Sequence, residues 1–72
     1  MKVDKIFLLG NDSVGSRERF YLVARKKIAG VYAFYEIDIP EKEFNRLINL
    51  NLFELNQKGD IHINHISFRR VA

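Results

Sequence analysis

Asp60, His62, Asn64 and His65 bring imidazoles, an acid and an amide within six residues of one another, side-chain types that can hold a transition-metal ion. On a regular strand, however, His62 and His65 point to opposite faces, and only a bulge between them would turn both to one side. Two imidazoles without a clear third ligand do not close a site, so these residues read as exposed polar strand positions, with no metal and no cofactor. Glu36 and Asp38 are two apart, the spacing that places two carboxylates on one strand face, as a general acid and base pair would require. They close an apolar run, and a solvated acidic strand end accounts for them. Nothing in the spacing sets Ser13 or Ser16 beside a histidine, so no nucleophile with its base is recognisable. The expectation is a protein without catalytic residues or an evident small-molecule substrate.

Gly10 and Gly15 follow an apolar run in KIFLLGNDSVGSR, which resembles the phosphate-binding loop that opens small GTPases. The resemblance covers about a dozen residues. Ser16 stands where that loop has its phosphate-contacting lysine, and Arg17 where it has the magnesium-binding hydroxyl. The residues that follow read as strand, whereas the loop needs a helix whose amino terminus faces the phosphates. The stretch is expected to be a glycine-bearing connection between strands.

A different chemistry is suggested by Arg17, Arg19, Arg25, Lys26 and Lys27, which flank an apolar segment carrying Phe20 and Tyr21, with Tyr32 and Phe34 nearby. Cations for phosphates and aromatics for base stacking together suit single-stranded nucleic acid. Glu36 and Asp38 on the same strand face as Tyr32 and Phe34 would repel a phosphate backbone.

The elements that must carry these residues are mostly strands. Residues 31–39 (VYAFYEIDI) place Val31, Ala33, Tyr35, Ile37 and Ile39 on one side and Tyr32, Phe34, Glu36 and Asp38 on the other. Residues 5–9 (KIFLL) make a shorter strand, followed by a loop of turn formers at 10–16. Residues 19–25 (RFYLVAR) alternate as well, and KKIAG is short enough to join them to 31–39 as a hairpin, so the three strands form an antiparallel meander. Pro40 suits a first helical position, and Glu41 and Glu43 suit the positive end of a helix dipole. Phe44, Leu47, Ile48 and Asn51 or Leu52 then share a stripe, in a helix expected to end near Leu50 with Asn51 in the left-handed position. Residues 52–56 read as a short strand or irregular return. Residues 60–69 alternate out of phase, and a bulge near Asn64 or His65 would put Ile61, Ile63, Ile66 and Phe68 on one face.

Together these elements predict one α+β domain over residues 1–72: a small antiparallel sheet of four or five strands, ordered β-β-β-α-(β)-β, with one helix on one face. A chain this short buries only about 60% of the surface its unfolded form exposes, and without cysteine it has no disulfide to supplement the core. The apolar run near the start is far shorter than the ~20 residues of a membrane span, and a cytoplasmic location is expected. The net charge of +3 is unevenly spread, with seven basic and three acidic residues before Glu36.

One helix covers one sheet face, which leaves Tyr21, Val23, Tyr32 and Phe34 on the other. Contiguous apolar patches of this kind mark interaction surfaces. The leading expectation is therefore a small protein-binding module, self-associating as a homodimer through that face or capturing another protein. Nucleic-acid binding by the basic residues is the second.

Overall fold

In the computed structural model, which describes all 72 residues, the chain runs β1 (Lys2–Val3), β2 (Lys5–Val14), β3 (Arg17–Ile28), β4 (Val31–Ile39), α1 (Glu41–Ile48), α2 (Leu52–Lys58), β5 (Ile61–His62) and β6 (Ser67–Arg70). The protein is α+β, with a four-stranded antiparallel sheet ordered β2-β3-β4-β6 and a small antiparallel pair, β1 with β5. No helix is long and apolar enough to cross a membrane.

The alternation of the central strands sets the register. Leu22 pairs with Ile37 and Ala24 with Tyr35, while Leu9 and Ile6 meet Leu22 and Ala24 from β2. These residues face the helices, and with Val3, Ala33, Ile39, Leu47, Ile61 and Ile63 most of them form the buried core. Phe44 and Phe20 close one end of it, their ring centroids 4.9 Å apart. Val31, expected in the core, is 59% exposed, because it sits at the hairpin end of β4 beyond the packed helices. Ile48, expected on the helix stripe, is also exposed.

Both hairpin connections are tighter than the composition suggests. Residues 10–14, expected in a loop, extend β2 and pair residue by residue with Arg17–Tyr21, so the turn shrinks to Gly15 and Ser16. Lys26 and Lys27 are likewise strand residues. The second turn is Ala29 and Gly30 alone, both with positive φ (51° and 80°), the twist that suits a two-residue hairpin.

The second half departs further. Pro40 is the residue before the helix rather than its first residue, its ψ of 152° still extended, and Glu41 and Glu43 occupy the first turn. The helix does stop near Leu50, but Asn51 has φ −82° and is not left-handed. Its side chain instead accepts a hydrogen bond from the Glu54 N–H (3.2 Å) and starts α2, where a strand or irregular return is expected. Losing that cap by Asn51→Ala should lower stability by about 1 kcal/mol, read as a lower thermal midpoint. No bulge joins β5 to β6. The chain leaves the small sheet at Ile63 and enters the main one at Ser67, so Ile61 and Ile63 are buried while Ile66 and Phe68 stay exposed.

Candidate functional site: the open sheet face

Alternation puts odd-numbered residues of β3 and even-numbered residues of β4 on the face away from the helices. No other element covers it. Phe7, Leu8, Tyr32 and Phe34 are 46%, 45%, 52% and 38% exposed, and Val23 is partly buried among them. Phe7 and Leu8 would point to opposite faces of a regular strand. The β2 register slips between Ile6 and Leu8, and the extra residue brings the Phe7 ring to 5.4 Å from that of Phe34. The residues at 71 and 72 do not fold over the patch. They continue β6 along the β4 edge, through hydrogen bonds between Phe34 and both Val71 and Ala72.

Tyr21 lies differently from the other expected face residues. It is paired with Gly10 across the strands, and its ring rests on the glycine, filling the space where any side chain would stand. The Arg19 guanidinium sits over the same ring at 4.4 Å.

Arg19 is also the centre of an ion cluster. It bonds Asp38 (2.9 Å from Nε to Oδ1) and Glu36, whose second oxygen takes the Arg69 guanidinium at 3.1 Å. Ser67 donates to the remaining Asp38 oxygen (3.3 Å). The Arg19 hydrogen bond, with Arg69 in support, holds the Glu36 carboxyl below its ordinary range, and Glu36 in turn raises Arg19. Glu36 and Asp38 are thus matched by cations of the same chain, and Arg19 is matched by them.

The other basic residues do not form one patch. Arg17 is at the tip of the β2–β3 hairpin, ten residues and therefore about 33 Å along the strand from Lys27. Lys26 faces the opposite side and donates to the Lys2 carbonyl (2.6 Å). Arg25 and Lys27 do share the open face, lying 4.7 Å and 5.2 Å from the centre of the Tyr32 ring. Lys5, which composition did not single out, joins them over Phe7 at 5.3 Å. None of these three cations forms a salt bridge, and the Arg25 Nε is buried without a hydrogen-bond acceptor.

The two histidines are not brought to a common point. His62 is in β5, whereas His65 lies edge-on to Phe68 at 5.8 Å. No three His, Asp or Glu side chains converge as metal ligands would. Gly10 and Gly15 lie within and at the turn of a hairpin, with no helix after them. No protein-family model, curated protein or solved structure matches this chain.

Proposed function

We propose that the protein is a small non-enzymatic binding module whose open sheet face holds single-stranded nucleic acid. The observation that carries this reading is the set of three cations without carboxylate partners, Lys5, Arg25 and Lys27, placed on the exposed rings of Phe7 and Tyr32 beside Phe34. Aromatic faces accept bases of any sequence, and neighbouring cations take the phosphates. The acids that would repel a backbone, Glu36 and Asp38, are matched within their own cluster.

Face-to-face association of two copies draws on the same apolar patch, but the charges weigh against it. Lys5, Arg19, Arg25, Lys27 and Arg69 outnumber Asp12, Glu36 and Asp38 on this face, and the excess lies at the aromatic end. Stacking two such faces sets like charge against like unless the acids of one copy reach the cations of the other. An anionic partner meets no such conflict.

Anisotropy titration of labelled oligonucleotides tests the reading. Binding to single strands should exceed binding to duplex and weaken with salt, with a slope of log K on log salt near −2 for about three phosphates neutralised. Lys27→Ala should flatten that slope by about 0.7. Tyr32→Ala should weaken binding roughly 5- to 160-fold through lost stacking and leave the slope nearly unchanged. The absence of salt-sensitive binding to any oligonucleotide removes the proposal.

A further inference from the structure

β2 is an outer strand of the main sheet, and its free edge is treated unevenly. At Ile6 the edge is closed by a side chain. The Asn56 amide of α2 accepts from the Ile6 N–H (2.9 Å) and donates to the Ile6 carbonyl (3.0 Å), doing what a neighbouring strand would do. From Leu8 to Val14 no strand, helix or side chain takes the outward backbone groups. Unpaired edges of this length are templates for another strand, and proteins ordinarily blunt them.

The geometry also says which groups are offered. Val14 and Arg17 flank the two-residue turn, and the pair that closes such a hairpin is hydrogen-bonded. Counting back by alternation, Leu8, Gly10, Asp12 and Val14 bond inward to β3, and Leu9, Asn11 and Ser13 point their N–H and C=O groups outward.

We infer that β2 pairs antiparallel with β2 of a second copy, about a two-fold axis at Asn11. That register alone uses all three outward residues of both chains, Asn11 with Asn11 and Leu9 with Ser13. It also sets Leu8 against Val14 of the partner, twice, where both residues are otherwise largely exposed. Self-complementarity about one point is what an isologous interface requires, which is why the occupant is another copy rather than an unrelated strand. The pairing joins two four-stranded sheets into one of eight strands and sets both open faces on the same side. It goes beyond the nucleic-acid reading and stands without it.

Sedimentation velocity over a concentration series is the test, with Asn11→Pro as the diagnostic variant. Proline is tolerated on an edge strand where its missing N–H would face solvent, so the monomer should keep its circular dichroism. The wild type should show a concentration-dependent monomer–dimer equilibrium, and Asn11→Pro should weaken it at least about tenfold through two lost hydrogen bonds. If Asn11→Pro does not fold, hydrogen exchange on the wild type decides the matter. The Leu9, Asn11 and Ser13 amides should gain protection as concentration rises. A monomeric wild type overturns the inference, as does a dimer that survives Asn11→Pro but is lost in Phe34→Glu, since association would then be through the sheet face.

Discussion

A Glu43→Gln substitution is expected to lower the unfolding free energy at neutral pH by about 2 kcal/mol and to remove part of the protein's sensitivity to acid. Glu43 is the only charged residue buried in the fold, on the inner side of α1. One oxygen takes the Arg46 Nε, and the other takes the Arg46 Nη2 at 2.9 Å and the Asn64 backbone N–H at 2.6 Å. Arg46 reaches on to the His62 carbonyl (3.2 Å). The carboxylate therefore ties the first helix to the segment between β5 and β6, which has no strand partner of its own at that point. Glutamine turns an acceptor into a donor facing Arg46 and leaves at least one of these groups unmatched. The cost falls below the about 3–5 kcal/mol of a fully buried broken pair because Arg46 itself is 47% exposed and can recover water.

The sign of the pH effect follows from the same contacts. The Arg46 hydrogen bond, aided by the Asn64 N–H, outweighs desolvation and holds the Glu43 carboxyl below its ordinary range. A group whose pKa is depressed on folding contributes its full stability above the unfolded value, about 4.3 for glutamate, and loses it as pH falls through the folded value. Denaturant titrations of the two proteins should differ by a constant above about pH 5.5 and converge in stronger acid. Glu36 is depressed as well, by Arg19, but is present in both proteins and cancels in the difference. A gap between the two that does not change with pH would show that the Glu43 charge is not what stabilises the junction.

The meander was legible because residues 19–25 and 31–39 are rich in β-branched and aromatic residues and a short connection joins them. What escaped was set by contacts distant in sequence. Residues 10–14 (GNDSV) have the composition of a loop and become strand because Arg17–Tyr21 stand opposite them, and pairing outweighs weak local preference. The second helix was readable in part. Asn51 followed three residues later by Glu54 is a helix-start pattern, and here the Asn51 side chain does accept from the Glu54 N–H. The basic residues of β3 are divided between faces and ends of the strand for a geometric reason. Neighbours along a strand lie on opposite faces, so Lys26 parts from Lys27, and Arg17 is a strand's length from both. The aromatic face at Tyr32 and Phe34 followed directly from alternation, whereas Phe7, Leu8 and Lys5 depend on a register slip that leaves no local signature.

Replacing Gly10 with alanine is expected to cost about 1–3 kcal/mol, although the position is in neither the core nor a turn. A Cβ there would stand 2.6 Å from Tyr21 Cε1 and closer still to Cζ, so the ring has to leave. Its movement does not end with Tyr21. Arg19 stacks on that ring while holding Asp38 and Glu36, and Glu36 holds Arg69 on β6. Displacing the ring thus disturbs a chain of contacts that crosses β2, β3, β4 and β6 on the open face. The steric origin is separable from any intrinsic preference for glycine by a double-mutant cycle. In a Tyr21→Ala background the same Gly10→Ala change should cost a few tenths of a kcal/mol or become favourable, because alanine restricts the unfolded chain more than glycine does. Equal costs in both backgrounds, measured by denaturant unfolding, would place the effect in the backbone and not in the ring that rests on it.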